Sequence, residues 1–449
     1  ANQKPLYDSL VLWDRNQKAA NGGSLPADVK AIVLLDAEKR NADQKKQLQD
    51  YFVEHVFVGS RDQFGTKHKM IADSQTQLAA VRNAAATTLV FREKAESNPS
   101  FMLTRGEYDK RGEQVARGTP SVLPPMPKDA PLNRLGFAQW LTDPSHPLTA
   151  RVTVNRLWQQ MFGVGLVKTS EDFGSQGEPP SHPQLLDWLA VTFQADGWNV
   201  KKMMKRIVMS ATYRQSSTVT PALTERDPEN RLLARGPRFR LDAEMLRDQA
   251  LDISGLLNRK MGGPSVKPPQ PDGLWFAVGY SGSDTVRFKA DTGSDKVHRR
   301  TLYTFIKKTA PPPQMSIIDA PSREACAVRR ERTNTPLLAL LLLNDPQYFE
   351  CARMLAERTL REGGQAPKDR LQFIFRLSAG RLPSDSELNE LTAILTDLRK
   401  AYSKDAAGAA KLLGVAVAPE GERASQAQLA AWVNVANLIL NLAEVLTKS

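Results

Sequence analysis

The sequence is poor in the residues that usually attach haem and metal ions. Its 449 residues include two cysteines, Cys326 and Cys351, and five histidines. They form neither a CxxCH haem-attachment motif nor a Cys/His spacing typical of zinc sites. We therefore predict no metal site and no cofactor in this chain. The two cysteines could form a disulfide or remain as apolar core residues, and the sequence leaves both possibilities open.

Long apolar runs and nucleophile or nucleotide motifs are also missing. No stretch reaches the roughly 18 apolar residues of a membrane-spanning helix, so we expect no membrane span. The segments LLALLLL and WVNVANLILNLAEVL are short or polar enough to predict core helices. No GxSxG elbow is present. GVGLVK at 163–168 follows a predicted helix rather than a strand, and we reject it as a phosphate-binding loop.

Acidic residues are fewer than basic ones. Lys and Arg total 61 against 49 Asp and Glu, which gives a net charge of +12. This balance suits an anionic partner such as an acidic polysaccharide. Dispersed charge that only keeps the protein soluble is the alternative. Basic runs interleaved with aromatic residues are absent, so we expect no nucleic-acid binding.

Hydrophobic periodicity predicts helices along most of the chain. They cover 26–35, 42–57, 67–97 and 135–141, followed by helices capped by Thr149, Ser181, Asn199 and Asp242 and one that begins at Asp345 and Pro346. HRRTLYTFIKK at 298–308 alternates like a strand. The predicted fold class is mainly α: a multi-helix domain with a small β element or long ordered loops near 265–308, plus an N-terminal helical arm. The polar stretch 401–425 indicates a mobile insertion.

Proline and glycine mark the predicted domain boundaries. We expect an N-terminal helical region with a long polar helix at 1–118, a proline-rich connector at 119–132, and a helical domain at 133–449. The chain begins without methionine and without an apolar leader, so we expect it to be part of a longer polypeptide.

Three long motifs carry a family resemblance. They are NRLGFAQWLTDPSHPLTARVTVNRLWQQMFGVGLVKTSEDFG at 133–174, RGPRFRLDAEMLRDQAL at 235–251 and RRERTNTPLLALLLLNDPQYFE at 329–350. They resemble the PSD1 (DUF1553) domain of planctomycete cytochrome c-type proteins. The resemblance implies the C-terminal portion of an exported protein that also contains a DUF1549-type domain and a haem-bearing module. A periplasmic or cell-envelope location is implied too, with haem c only in another domain and the haem-bearing module as a partner.

A cluster of charged residues precedes the leucine-rich segment, and two further arginines alternate around Phe239. The predicted ligand-binding residues are Arg323, Glu324, Arg329, Arg330, Glu331, Arg332, Asn334, Asp345, Arg238 and Arg240. Guanidinium groups suit carboxylate, sulfate or phosphate ligands. An internal network of Arg and Glu that joins helices is the alternative.

The loop SEDFGSQGEPPSH at 170–182 offers a second candidate site. Asp172, Glu178 and His182 combine carboxylates with an imidazole, which suits general acid–base catalysis. Local turns and a helix cap would explain the same residues.

Three functions follow from these patterns. The leading one is a binding or scaffold module of an exported cytochrome c-associated protein, supporting electron transfer or anionic glycan binding. The alternatives are an enzyme that acts on polysaccharides or oxidised sugars and a structural or assembly domain. The enzyme requires the two charged segments to converge in one cleft, and internal pairing of the arginine cluster counts against it.

Overall fold

Helices dominate the computed structural model, which describes residues 4–85, 87–94, 96, 98–279, 282, 285–416 and 419–448. They account for 55% of the structure and strands for 4%, which confirms the predicted mainly α fold. The chain separates into two compact units, Ala1–Gly112 (unit 1) and Glu113–Ser449 (unit 2). The domain limits predicted at 118 and 132 remain predictions.

Unit 1 is built from four helices. They are α1 (Lys4–Ala19), α2 (Ala27–Leu34), α3 (Ala42–His55) and α4 (Arg61–Ala84), with a 3₁₀ turn at Ala37–Lys39. A small core forms around Val29, Val33 and Leu48. The buried Arg40 closes it by donating to Asp14 at 2.7 Å and to the Val33 carbonyl at 2.9 Å. The guanidinium of Arg40 thus joins α1 to the end of α2 beside a core that contains few apolar residues.

The long polar helix differs from its predicted bounds of 67–97. α4 begins earlier and ends at Ala84, where Ala85 turns to an extended conformation with ψ 129°. Residues 86, 95 and 97 of the prediction lie outside the described residues. No residue of α4 is buried, so its thin apolar stripe provides little packing to extend the helix. A two-stranded sheet follows, formed by β1 (Ser100–Leu103) and β2 (Arg111–Val115), with a 3₁₀ turn at Thr104–Gly106.

The first half of unit 2 folds around its own core. Its helices are α5 (Arg134–Thr142), α6 (Thr149–Phe162), α7 (Pro183–Ala195), α8 (Val200–Val208) and α9 (Pro221–Arg226). Trp158, Phe193 and Met203 are buried between α6, α7 and α8. Each of these side chains lies on the apolar stripe of its helix, so the 3.6-residue period brings the three helices together.

A larger core lies in the second half of unit 2. Its helices are α10 (Ala243–Ser254), α11 (Leu274–Val278), α12 (Ser294–Val297), α13 (Pro313–Ser316), α14 (Pro336–Asn344), α15 (Pro346–Glu362), α16 (Pro367–Ala379), α17 (Asp385–Lys404), α18 (Ala406–Leu413), α19 (Arg423–Leu440) and α20 (Ala443–Leu446). Short 3₁₀ turns occur at Thr301–Tyr303 and Glu420–Glu422. α15 and α17 pack against α19, whose alanines and Trp432 are buried on several faces. A helix that is apolar on several faces is expected at the centre of a bundle.

The chain end returns to the start of α10. Strand β3 (Phe239–Arg240) pairs antiparallel with β4 (Thr447–Lys448), with Phe239 opposite Lys448. This short ribbon fixes the segment that carries Arg240 beside the larger core.

The described residues of 258–308 form long ordered loops with the short helices α11 and α12 rather than a sheet, which is the second of the two alternatives predicted near 265–308. The described part contains isolated bridges from Asn258 to Arg299 and from Val266 to Thr304. Strand-like backbone bonds join Val266 to Tyr303 and Phe305 at 2.8 Å each. The buried Arg299 donates to the carbonyls of Gly262 and Pro264, so a guanidinium rather than a neighbouring strand satisfies these two carbonyls.

Several local predictions need correction. Residues 401–425 are not a mobile insertion in their described part, because α18 buries Ala409 and Leu413 against α19. Residues 417 and 418 lie outside the described residues. Ser181 does not cap α7, whose N-cap is His182. Thr149 does not cap α6, whose N-cap is Leu148 without a capping side chain. His146 Nδ1 accepts from the Leu148 and Thr149 amides at 3.3 and 3.2 Å just before the helix.

Over the described residues, none of the helices combines the length and the apolar character that crossing a membrane would require.

Candidate functional site

The loop between α6 and α7, residues 169–182, is closed mainly by bonds within itself. Asp172 Oδ1 accepts from the Gly174 amide at 2.7 Å, and Thr169 Oγ1 links the Asp172 carbonyl to the Glu178 amide at 2.9 Å each. A Cβ on Gly177 would lie 2.1 Å from the Asp172 carbonyl oxygen, so only glycine fits there. These contacts form a compact local turn.

A buried amide anchors the beginning of this loop to α6. Asn155 is fully buried and exchanges two hydrogen bonds with the Val167 backbone, at 3.0 and 2.9 Å. Its Nδ2 also donates to Ser170 Oγ at 3.1 Å. A Cβ on Gly165 would meet the Asn155 amide at 2.6 Å, which explains the glycine at that position.

The three predicted catalytic residues of this loop are not joined to one another. In the described chain no hydrogen bond connects the side chains of Asp172, Glu178 and His182. Glu178 is exposed, and His182 Nδ1 contacts Ser181 Oγ at 3.0 Å. The geometry gives no acid–base pair, and the catalytic hypothesis remains a prediction.

The arginine cluster, in contrast, converges on carboxylates at the start of α10. Arg330 forms a two-pronged pair with Glu244, at 2.6 and 3.2 Å, and Arg323 donates to the same carboxylate at 2.8 Å. Arg332 donates to Asp242 at 3.1 Å and lies over the ring of Phe239. Asp242 was predicted as a cap, but no amide is bonded to its side chain and it accepts from arginine instead.

The segment 319–335, which carries this cluster, is fastened at its base by Asp319. This carboxylate accepts from the Thr333 amide at 2.7 Å and from Arg240 at 2.5 Å. Arg240 is almost fully buried and also donates to the Thr333 carbonyl at 3.0 Å. One carboxylate therefore joins the two ends of the segment to the strand β3.

The pKa shifts follow from these pairs. Burial by itself would raise the pKa of the Glu244 carboxyl, but the hydrogen bond from Arg330 and the charges of Arg330 and Arg323 bring it below the usual value. For Asp319, burial is likewise outweighed by the hydrogen bonds from Thr333 and Arg240, so its pKa is lowered. Both groups are held in the ionised form that the arginines require.

Other predicted ligand-binding residues have different surroundings. Glu324, Glu331 and Asn334 are exposed, and the described chain gives their side chains no hydrogen-bond partner. Asp345 caps α15 by accepting from the Gln347 and Tyr348 amides. Arg238 is exposed on a neighbouring cleft. Arg329 reaches Glu171 at 3.4 Å, and both side chains are about half exposed, so this pair contributes little stability.

A polar cleft of about 220 Å³ lies between the segment 319–335 and α6. Its lining residues are Arg156, Gln159, Gln160, Asp242, Cys326, Ala327, Val328, Arg330 and Arg332. Gln159 Nε2 touches the Val328 carbonyl at 3.4 Å, where the segment rests on the helix. Gln159 and Gln160 were not predicted as site residues, because adjacent glutamines on a helix carry no sequence signal for a cleft.

Arg156 differs from the other arginines of the cleft. It is exposed, and within the described residues it has no ion pair or hydrogen bond. Arg330 and Arg332, by comparison, both bind acidic side chains. The cleft therefore holds three guanidinium groups against the single carboxylate of Asp242.

The sequence profile of PSD1, a protein family of unknown function (DUF1553), matches residues 133–395. The chain belongs to the PSD1 family. The match covers both candidate segments and the cleft, so the described geometry lies inside the PSD1 domain. No curated protein and no solved structure is significantly similar to the chain.

α14 presents an apolar surface within the same PSD1 region. Leu338 and Leu342 are buried in the larger core, whereas Leu337, Leu340 and Leu343 are exposed. The exposed leucines are three residues apart and share one face of the helix.

Proposed function

We propose that this chain is a non-catalytic binding module of an exported, cytochrome c-associated protein, located in the periplasm or cell envelope. In this proposal the cleft beside α6 holds a carboxylate or sulfate group of an acidic glycan. The haem-bearing module of the same protein or complex is the second partner, and haem c belongs to that module. The observation that carries the proposal is the unpaired Arg156 guanidinium in a cleft with excess positive charge.

The paired arginines support a binding module rather than an enzyme. Arg330 and Arg332 are fixed by Glu244 and Asp242, so they present their remaining donors at defined positions. A planar guanidinium with fixed orientation suits a bidentate carboxylate or sulfate. The amides of Gln159 and Gln160 add neutral donors at the cleft wall. The cleft offers donors for an anion, and its only carboxylate is committed to arginine.

Titration of the full chain with defined oligosaccharides tests this proposal. A galacturonate oligomer and a sulfated heparin hexasaccharide are the acidic probes, and a neutral oligosaccharide is the control ligand. We expect calorimetric binding of an acidic probe that weakens at high salt. Arg156→Gln removes the unpaired guanidinium and should weaken this binding at least tenfold, by about 1.4 kcal/mol.

The matched control is Arg15→Gln, which removes an exposed arginine of α1 and changes net charge equally. If both variants weakened binding of the acidic probe equally, the effect would come from overall charge, and the cleft would not be the binding site. Retention of the chain on an immobilised haem-bearing module tests the second partner. If the chain binds neither acidic probe and is not retained on the haem-bearing module, the proposed function is wrong.

The exposed leucines of α14 favour the structural alternative, an assembly domain. Light scattering of the purified chain distinguishes it, because assembly through that face predicts a dimer or larger species.

A further inference from the structure

Two histidines and a glutamate meet in unit 1, outside the matched family region. Glu54 and His55 end α3, and His68 lies about two turns into α4. One ligand atom from each residue lies within 4.8 Å of the other two. We propose that Glu54, His55 and His68 bind a divalent transition-metal ion of the Zn²⁺ class.

The connection between the two helices fixes these residues in place. Val56 N and Phe57 N both donate to the Phe52 carbonyl, at 2.9 and 2.8 Å. Ser60 Oγ reaches back to the Val53 carbonyl at 2.6 Å. Phe52 is buried, so the turn is anchored in the interior of unit 1. The ligand groups therefore lie at the end of α3 and two turns into α4, and a short, hydrogen-bonded link rather than a long loop connects the two helices.

The distances fit a metal ion with small adjustments. His68 Nε2 lies 3.3 Å from Glu54 Oε2, and His55 Nε2 lies 3.9 Å from the same oxygen. Nitrogen and oxygen ligands bind Zn²⁺ at about 2.0–2.2 Å in a tetrahedron, which places neighbouring ligand atoms about 3.3–3.5 Å apart. The edge between Glu54 and His68 already has this length. The edges from His55 to the other two ligand atoms are longer but within 4.8 Å, and a movement of the His55 side chain would shorten both.

The arrangement of the rings agrees with a shared ligand. The imidazoles of His55 and His68 stack with centroids 4.8 Å apart and planes inclined by 22°. Tyr51 lies against His55 at 4.6 Å, and Phe64 lies beside His68 at 6.4 Å. Each imidazole therefore has an aromatic neighbour, and the two imidazoles lie side by side next to the carboxylate.

The donor set selects a class of ion. Imidazole nitrogen suits Zn²⁺, Cu²⁺ and Ni²⁺, whereas Mg²⁺ and Ca²⁺ prefer sites built of oxygen. Three protein ligands leave at least one coordination position open in a tetrahedral ion. The side chains are between about a third and a half exposed, so solvent can reach that position. The sequence analysis predicted no metal site because its ligands come from two helices and form no recognised spacing motif.

Metal titration of the full chain, without an affinity tag, tests the site. Calorimetry with Zn²⁺ should show one saturable site, and Mg²⁺ should show none. Co²⁺ should give the visible absorption of a four- or five-coordinate complex. His68→Ala and His55→Ala should each weaken Zn²⁺ binding at least tenfold, and Glu54→Gln should weaken it less.

Asp50→Asn is the matched control, because it changes an exposed carboxylate of α3 that belongs to no ligand group. It should bind Zn²⁺ as the unchanged chain does. Far-UV circular dichroism establishes that each variant keeps its helices. Unchanged affinity in the double variant His55→Ala with His68→Ala would overturn the proposal, as would failure of the unchanged chain to bind Zn²⁺.

Discussion

The loop 169–182 and the segment 319–335 are both polar, irregular and rich in charge, yet they are held in opposite ways. The loop closes through hydrogen bonds between neighbouring residues, such as Asp172 with Gly174. The segment closes through ion pairs to distant residues, with Asp319 and Glu244 as the acceptors. Charged residues in a loop can therefore have either of two structural roles. Bonds between neighbouring residues stabilise a local turn, whereas ion pairs with distant residues stabilise the tertiary structure.

The energetic consequence of this difference can be measured. A local turn loses one or two hydrogen bonds when a residue is replaced, and neighbouring water compensates. A buried guanidinium that loses its carboxylate remains charged in a site of low polarity, which is far more costly.

Asp319→Asn should be the most damaging change. The change leaves the buried Arg240 without its carboxylate partner. Asparagine has the same size as aspartate and also tolerates the positive φ of 57° at this position. We expect a loss of about 3 kcal/mol of unfolding free energy. Urea unfolding at pH 7 followed by tryptophan fluorescence measures it. A loss below about 1 kcal/mol would show that Asp319 is no stronger an anchor than a surface group.

Glu244→Gln should have an intermediate, pH-dependent effect. The folded-state pKa of Glu244 lies below the reference value of 4.5, so its stabilisation is complete above about pH 4.5 and is lost as the pH falls through the folded-state pKa. We expect the variant to be less stable by about 1–2 kcal/mol at pH 7. The difference should shrink as the solution is acidified below pH 4.5.

Urea unfolding of both proteins across this pH range provides the measurement, and trypsin cleavage after Arg329 at pH 7 provides a second. Because Arg330 and Arg323 lose a shared acceptor, the segment should be cleaved faster in the variant. A difference in stability that is constant with pH would mean that the Glu244 charge does not hold the segment.

Asp172→Ala should have the smallest effect. It removes one acceptor of a half-buried local turn, and we expect a loss of about 0.5–1 kcal/mol. Tryptic cleavage of the segment 319–335 should not change. A loss as large as that of Asp319→Asn would remove the contrast between the two regions.

Sequence patterns were reliable where the interaction is local. Asn199 and Asp345 were predicted to begin helices, and both side chains accept from amides of the first turn. This contact joins residues two or three positions apart, so a short stretch of sequence is enough to predict it. Trp158 is buried on the apolar stripe of α6, a position that helical spacing alone defines.

Sequence patterns gave wrong predictions where a polar side chain has a bonding partner that the local sequence does not show. Asp242 has the sequence setting of a cap, but Arg332 provides a charged donor that the local sequence does not show. Thr149 was predicted to cap α6, but it makes no capping bond, and His146 Nδ1 accepts from the Leu148 and Thr149 amides instead. The alternation at 298–308 predicted a strand, but the described residues contain isolated bridges there, and Arg299 donates to the carbonyls of Gly262 and Pro264.

By itself the sequence determined the mainly α class, most helix positions, the family and the chemistry available to the arginine cluster. Each of these depends on periodicity, on short-range capping or on residue type, which are properties of neighbouring letters. Only the tertiary structure decided that Asp319 and Glu244 receive the arginines, that Arg156 remains unpaired, and that Glu54, His55 and His68 meet. Such encounters join residues from separate helices or loops, and hydrophobic packing of the helices fixes them.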